Sequence, residues 1–283
     1  MRFGVVLFTS DRGITPAHAA QAAEAAGFDC FYVPEHTHIP VRRDALHPRT
    51  GTQELPDDRY MRTLDPWVSL SMAAAVTSTI RLGTAVALPA EHDPIALAKT
   101  IASLDHLSGG RVVLGVGFGW NTDELTDHGV PANRRRTVLR EYLAAMQALW
   151  SAAAEEASYE GEFVRFDASW AWPKTVSQPR PPVLVGAGSG PRTFGWIAES
   201  ADGWLTTPYE QDVPAKAAEL RSAWREAGRS GEPEVVVLGG RYDASLLATW
   251  AEAGVSEVLF GLPDREPPAL LAYLGRLAGR LTG

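Results

Sequence analysis

Short runs of Val, Leu and Phe, each followed by a longer segment rich in Ala, Leu, Glu and Arg at helical spacing, recur eight times along this chain. That repetition constrains its fold more than any other feature. Alternating strands and helices predict a parallel sheet, and eight such units in 283 residues match the count and size of one (β/α)8 TIM barrel. Strands are expected at residues 2–8, 28–34, 81–88, 111–117, 182–186, 203–206, 234–239 and 256–261, and helices at 15–26, 66–78, 94–107, 134–153, 191–200, 213–227, 244–253 and 267–280. The strands are apolar mostly without alternation, as strands covered on both faces are. Asp65 and Asp93 stand where helix caps belong, and Pro94 and Pro191 suit a first helical turn. The whole span, 1–283, reads as one domain.

Two stretches interrupt the count. Residues 37–64 mix Pro40, Pro48, Gly51 and Pro56 with charges of both signs and no clear period, which predicts a long loop after the second strand. Loops after barrel strands build the active-site face, so this one is expected to be a lid or substrate wall. Residues 159–179, with Trp170, Trp172 and Pro173, predict a small hairpin between the fourth helix and fifth strand, entering from the opposite end.

A formal net charge of -8 argues against a nucleic-acid or anionic-membrane surface, which needs basic excess. Cys30 is the only cysteine and lies in an apolar run, so it reads as a buried structural thiol. The apolar start at residues 1–8 has no leader-type cleavage region, and no apolar span reaches membrane length, so the expected location is the cytoplasm.

Barrel chemistry sits at the C-terminal ends of the strands. The second strand ends Val33-Pro34-Glu35-His36-Thr37-His38. A His-x-His there fits a zinc pair, but all seven histidines lie at or before position 128, leaving the second half of a barrel without ligands. A Schiff base needs a lysine at a strand end, whereas Lys99, Lys174 and Lys216 fall on helices or in a loop. What remains is an acid-imidazole pair, Glu35 and His36, with glycines and aromatic rings. Such a set suits a flat cofactor that brings its own chemistry. Gly115, Gly117 and Gly119 alternate at the end of the fourth strand, either to admit a planar ring or to relieve crowding. The fifth strand ends Gly186-Ala187-Gly188-Ser189-Gly190 and enters a helix at Pro191, the pattern of a phosphate site at a helix N-terminus or of a tight turn.

These residues resemble a known family. The run Arg81-Leu-Gly-Thr-Ala-Val-Ala-Leu-Pro89, followed by Asp93-Pro-Ile-Ala-Leu-Ala-Lys99, Leu104-Asp-His-Leu-Ser-Gly-Gly-Arg111 and Leu114-Gly-Val-Gly-Phe-Gly-Trp-Asn121, is similar to the central block of luciferase-like monooxygenases. The likeness extends through Gly27-Phe28, Val33-Pro-Glu-His36, Gly129-Val-Pro131 with Arg135 and Glu141, Gly186-Ala-Gly188 and Ala201-Asp-Gly-Trp204. With Leu64-Asp65-Pro66 and the compact length, the chain resembles the actinobacterial subgroup that depends on coenzyme F420.

The resemblance implies a deazaflavin, or in the alternative FMN, over the barrel mouth with its phosphate near Gly186, Ala187, Gly188 and Ser189, and with Arg135 as a further phosphate ligand. It implies that Glu35 and His36 touch the cofactor ring, that His36 relays a proton, that the peptide from Ala85 to Val86 is cis and forms a bulge behind the ring, and that Asp123 contacts the cofactor. Three positions depart from the pattern. Trp120 replaces the glutamate of the family's sugar-phosphate dehydrogenases, Glu91 stands where relatives commonly carry Arg and removes a cation from the cofactor's acidic tail, and Glu35 replaces an Asp. Trp120 and Phe118 suggest an aromatic wall for a small-molecule substrate. Three functions therefore compete: an F420-dependent oxidoreductase, an FMN-dependent two-component monooxygenase, and a non-catalytic cofactor-binding barrel, against which the Glu35–His36 pair argues. The helix at 94–107, apolar on one face, is expected to support a homodimer.

Overall fold

A computed structural model describes residues 1–153, 155–263 and 267–281. The first half runs β1 (Arg2–Val6), α1 (Pro16–Ala25), β2 (Cys30–Val33), α2 (Pro66–Val76), β3 (Arg81–Thr84), α3 (Pro94–Ser108), β4 (Val112–Gly117), α4 (Thr122–Asp127) and α5 (Arg135–Trp150). A hairpin, β5 (Glu156–Glu160) and β6 (Arg165–Trp170), intervenes. The chain continues through β7 (Val183–Gly186), α6 (Pro191–Ser200), β8 (Gly203–Thr206), α7 (Val213–Glu226), β9 (Glu234–Gly240), α8 (Ala244–Glu252), β10 (Glu257–Gly261) and α9 (Pro267–Leu281). Single-turn helices occur at Asp58–Arg62 and Pro89–Glu91. Eight strands close in the order β1-β10-β9-β8-β7-β4-β3-β2, all pairs parallel, which is the TIM barrel.

Alternation along each strand divides the core in two. Cys30 and Tyr32 point into the lumen with Val113, Leu184, Leu205, Val236 and Leu259, while Phe31 and Val33 point outward into the layer beneath the helices. The lumen is tight enough to dictate small residues: a Cβ on Gly83 would collide with the Tyr32 ring. At the N-terminal end of the barrel, Glu257 is fully buried and takes Arg2 at 3.0 Å, Arg81 at 3.1 Å and the Cys30 thiol at 2.9 Å. Burial raises the thiol's pKa, so Cys30 is the structural group its apolar setting suggested.

Helix starts follow the sequence signals. Asp65 and Asp93 accept from the amides of Val68 and Ala96, both at 2.8 Å. The hairpin leaves and rejoins the barrel at the end opposite the mouth, where Lys174 donates to the Leu149 carbonyl near the C-terminus of α5, and its turn reaches back along α5, with Phe163 N–H and Val164 N–H on Glu141 and Glu162 paired with Arg134. Trp170 and Trp172, 71% and 60% exposed, thus stay away from the mouth. Among the described residues no helix is long and apolar enough to cross a membrane.

Candidate active site

At the end of β2 the backbone is laced to the segment after β3: Ala85 N–H donates to Val33 O at 2.8 Å and Glu35 N–H to Val86 O at 3.2 Å. Glu35 and His36 follow each other on an extended backbone, so their side chains part. Glu35 turns into the protein, where it accepts from Leu88 N–H at 2.5 Å and from His92 Nε2 at 2.6 Å, with its side chain 1% exposed. Burial alone would lower the His92 pKa, but the hydrogen bond and charge of Glu35 outweigh it and raise it. Glu35 is therefore a bracket between two loops, with both carboxylate oxygens engaged away from His36.

His36 pairs instead with Glu124 on α4, Nδ1 to Oε2 at 2.8 Å. The indole N–H of Trp120, which can only donate, reaches the other ring nitrogen, Nε2, at 3.4 Å. We assign the tautomer from that network: Nδ1 carries the proton and gives it to Glu124, and Nε2 keeps its lone pair. The two rings of the His-x-His motif diverge, since His38 Nε2 takes Asp127 at 3.0 Å.

Glu124 is fully buried and also accepts from the amide of Thr37 at 2.8 Å, from its hydroxyl at 3.3 Å, and from His38 N–H at 3.4 Å. Desolvation pushes its pKa up, but His36 and these N–H groups bring it below the usual carboxylate range. Glu91 lies beside it, 3.3 Å from the Thr37 hydroxyl. Burial first, then the charges of Glu124 and Glu35, push its pKa to about 9. Rather than facing a cofactor tail, as its place in the sequence suggested, Glu91 is a buried neutral acid within this cluster.

The long loop supplies the wall. Tyr60, on the Asp58–Arg62 turn, brings its ring within 5.5 Å of His36 and 4.8 Å of Phe8, and its hydroxyl meets His47 Nε2 at 2.9 Å. Trp120 stands edge-on to His36 at 5.7 Å and to His47 at 4.9 Å. Asp123, expected against the cofactor, spends one carboxylate oxygen on the amides of Asp44 and Ala45, at 3.1 and 2.9 Å, and so pins this loop. Phe118 leaves the expected wall and packs on Trp196 at 5.5 Å, under the guanidinium of Arg136 at 4.5 Å.

The Ala85–Val86 peptide is cis. Its side chain explains two glycines: a Cβ on Gly117 would meet Val86 Cγ2 at 2.6 Å, and one on Gly186 would meet Val86 Cγ1 at 2.5 Å. Those glycines, and Gly115 against the Thr84 carbonyl, relieve crowding inside the mouth, and it is half-buried Val86 that borders it. In the next loop Ala187 O is tied by Trp204 Nε1 at 2.7 Å, and Gly188 has open space where a Cβ would be. Ser189 donates its amide and hydroxyl to Glu210, at 3.2 and 3.0 Å, so this loop already holds an anionic group. Gly190 (φ 144°) enters α6 without a side-chain cap. Arg135 gives one N–H to Ala132 O at 2.7 Å, and its buried Nε has no partner. Its neighbour Arg136, which sequence reasoning passed over, lines a groove of about 390 Å³ along α6 with Arg140, Arg192 and Trp196.

A family model described as luciferase-like monooxygenase matches residues 1–242. Uncharacterized proteins of Mycobacterium tuberculosis and Mycobacterium bovis are 65% identical over 281 residues, 99% of either chain. An F420-dependent hydroxymycolic acid dehydrogenase of Mycobacterium tuberculosis is 32% identical over 233 residues, 80% of this chain and 58% of that protein. Among solved structures, the coenzyme F420 dependent tetrahydromethanopterin reductase of Methanopyrus kandleri shares the fold at a TM-score of 0.73 and 19% identity, covering 99% of this chain and 97% of that one.

Proposed function

This chain belongs to the luciferase-like monooxygenase family, and from that premise we propose that it is a coenzyme F420-dependent oxidoreductase that transfers hydride between the deazaflavin and a small organic substrate. The observation that carries the reading is the state of His36. Its buried ring gives Nδ1–H to Glu124 and keeps a lone pair on Nε2 within an aromatic corner. A ring held this way accepts a proton from a substrate oxygen, or returns one, as hydride moves, and the Glu124 carboxylate steadies the imidazolium that results.

Donor chemistry fits the cofactor. The loop of Gly186, Ala187, Gly188 and Ser189 holds one anion, the Glu210 carboxylate, through an N–H and a hydroxyl, and a phosphate would take that place once Glu210 swings aside. Arg135, with its unpaired Nε, is the further phosphate ligand of this reading. Val86, on its glycine floor, and Ala85 would back the ring. The bound deazaflavin would supply the hydride chemistry. Similarity to the F420-dependent dehydrogenase over 80% of this chain supports the deazaflavin over FMN.

The test is a panel of small alcohols, ketones and activated alkenes mixed anaerobically with the enzyme and oxidised or reduced F420, followed by deazaflavin absorbance. At least one substrate turns over, and His36→Gln lowers that rate by about 10²–10⁴-fold while deazaflavin affinity stays within a few-fold. A variant as fast as wild type contradicts the role given to His36.

A further inference from the structure

Hydride moves without a proton, so a site whose base is buried must return each proton to water or draw one from it. His36 is 7% exposed, and Tyr60, His47 and Trp120 crowd its outer side. Its inner side opens onto an unbroken line of hydrogen-bonding atoms. His36 Nδ1 lies 2.8 Å from Glu124 Oε2, Glu124 Oε1 lies 3.3 Å from the Thr37 hydroxyl, and that hydroxyl lies 2.7 Å from Nε2 of exposed His128. The same hydroxyl lies 3.0 Å from His38 Nδ1, whose ring pairs with exposed Asp127. We infer that Glu124, Thr37 and His128 form a proton relay joining His36 to solvent. The inference rests on the reading of His36 as the proton acceptor of the site.

The proton count closes at every step. A proton arriving at His36 Nε2 makes the ring cationic, and Nδ1–H then passes to Glu124 Oε2, leaving the neutral Nε2–H imidazole and a neutral carboxylic acid, whose rotation brings the proton to the oxygen position that faces Thr37. The Thr37 hydroxyl turns from Glu124 toward His128. It takes the carboxyl proton as its own proton moves to His128 Nε2, which restores the carboxylate and the alcohol and leaves an imidazolium at the surface. Water takes the last proton. Partial burial and then the nearby His38 lower the pKa of His128, so it gives the proton up readily. The reverse sequence delivers a proton inward and restores the Nδ1–H tautomer of His36 with its lone pair on Nε2.

The groups around the line suit this traffic. Glu35 is neutralised by His92 and stays out of it. Glu91, on the other side of Thr37, is held protonated by its burial and by the two carboxylates, so it adds no second negative charge that would trap a proton at Glu124. Asp127, paired with His38, places a carboxylate at the exit. Glu124 acts here through His36 and is a positioning and relay residue, while Thr37 is the hub, since its one hydroxyl faces both Glu124 and His128.

The experiment needs neither cofactor nor substrate. In the ¹⁵N-labelled full chain, NMR gives the tautomer of His36, and saturation transfer from water gives the solvent-exchange rate of its Nδ1–H. The relay predicts an Nδ1–H tautomer, and an exchange rate at least ten-fold slower in Thr37→Val and in His128→Ala than in wild type. Thr37→Val keeps the side-chain shape and the backbone N–H to Glu124, so the Nδ1–H resonance itself stays in place. Either variant is sufficient if the other does not fold. An Nε2–H tautomer in wild type, or exchange as fast in the variants as in wild type, overturns the relay. Failure of F420 to bind would touch only the function proposed above.

Discussion

Glu91 holds its proton at neutral pH because ionising it would place a third carboxylate beside Glu35 and Glu124 in a buried pocket. That state links stability to pH with a definite sign. Below the ordinary value of 4.5 the residue is neutral in both the folded and the unfolded chain. As pH rises from there toward about 9, the unfolded chain releases the proton while the folded one retains it, so stability is progressively lost over that window. Glu91→Gln is neutral at every pH and removes this loss. We expect its Tm to exceed that of wild type by several degrees near pH 8, where linkage amounts to up to about 5 kcal/mol, and to converge with it near pH 5. Thermal melts across that range check it, and a gap that does not shrink toward acid pH would contradict the neutral assignment. His36 sits at the other side of the same cluster, and its tautomer follows from one donor, Trp120, and one acceptor, Glu124. A glutamate at position 120 could not have fixed it that way, because a carboxylate does not donate.

Among the helices, α2 carries no charged residue in eleven, and Val68, Met72 and Val76, one turn apart, are 62%, 49% and 41% exposed. An apolar stripe of that length on an outer helix calls for a second protein surface. On α3 the exposed Ile95 and Leu107 are separated by Lys99 and His106, so we propose that the homodimer expected from the sequence meets through α2. On that proposal Met72→Asp turns the dimer into a monomer in light scattering, with Tm changed by only a few degrees. A wild-type monomer, or a dimer indifferent to the change, would contradict that assignment. The short helix α4 shows how little chain a site needs: six residues supply Glu124 to His36, Asp123 to the long loop and Asp127 to His38. Its brevity also hid it, since one and a half turns carry no readable period.

Across the whole molecule, the barrel was legible because each strand is an apolar run and each helix a longer segment of helix-forming residues, so all eight units stand where the pattern put them. Ends were less legible: the strand expected at 81–88 stops at Thr84, where the chain turns through the cis bond toward the Pro89–Glu91 turn. Positions that follow a strand directly, such as His36, Val86 and Ser189, were the ones the pattern could put at the mouth of the barrel. Glu124 and Glu91 were not legible beside His36, because they follow other strands and only the barrel brings those loops to it, and Tyr60 and His47 were not, because the long loop has no period to say which of its residues face the site. The partners of Glu35 (Leu88 N–H and His92) and of Asp123 (the amides of Asp44 and Ala45) were not readable, since they belong to other loops and a carboxylate near buried amides is taken by them. The central claim, a deazaflavin on this mouth, is tested most directly by titrating the purified protein with F420 and separately with FMN at fixed salt, following the quenching of tryptophan fluorescence. The account predicts saturable F420 binding at least ten-fold tighter than FMN, with Trp120 beside the site as reporter. Tighter binding of FMN would make the protein a flavin monooxygenase component fed by a reductase, and binding of neither would leave a barrel without its cofactor and contradict the account.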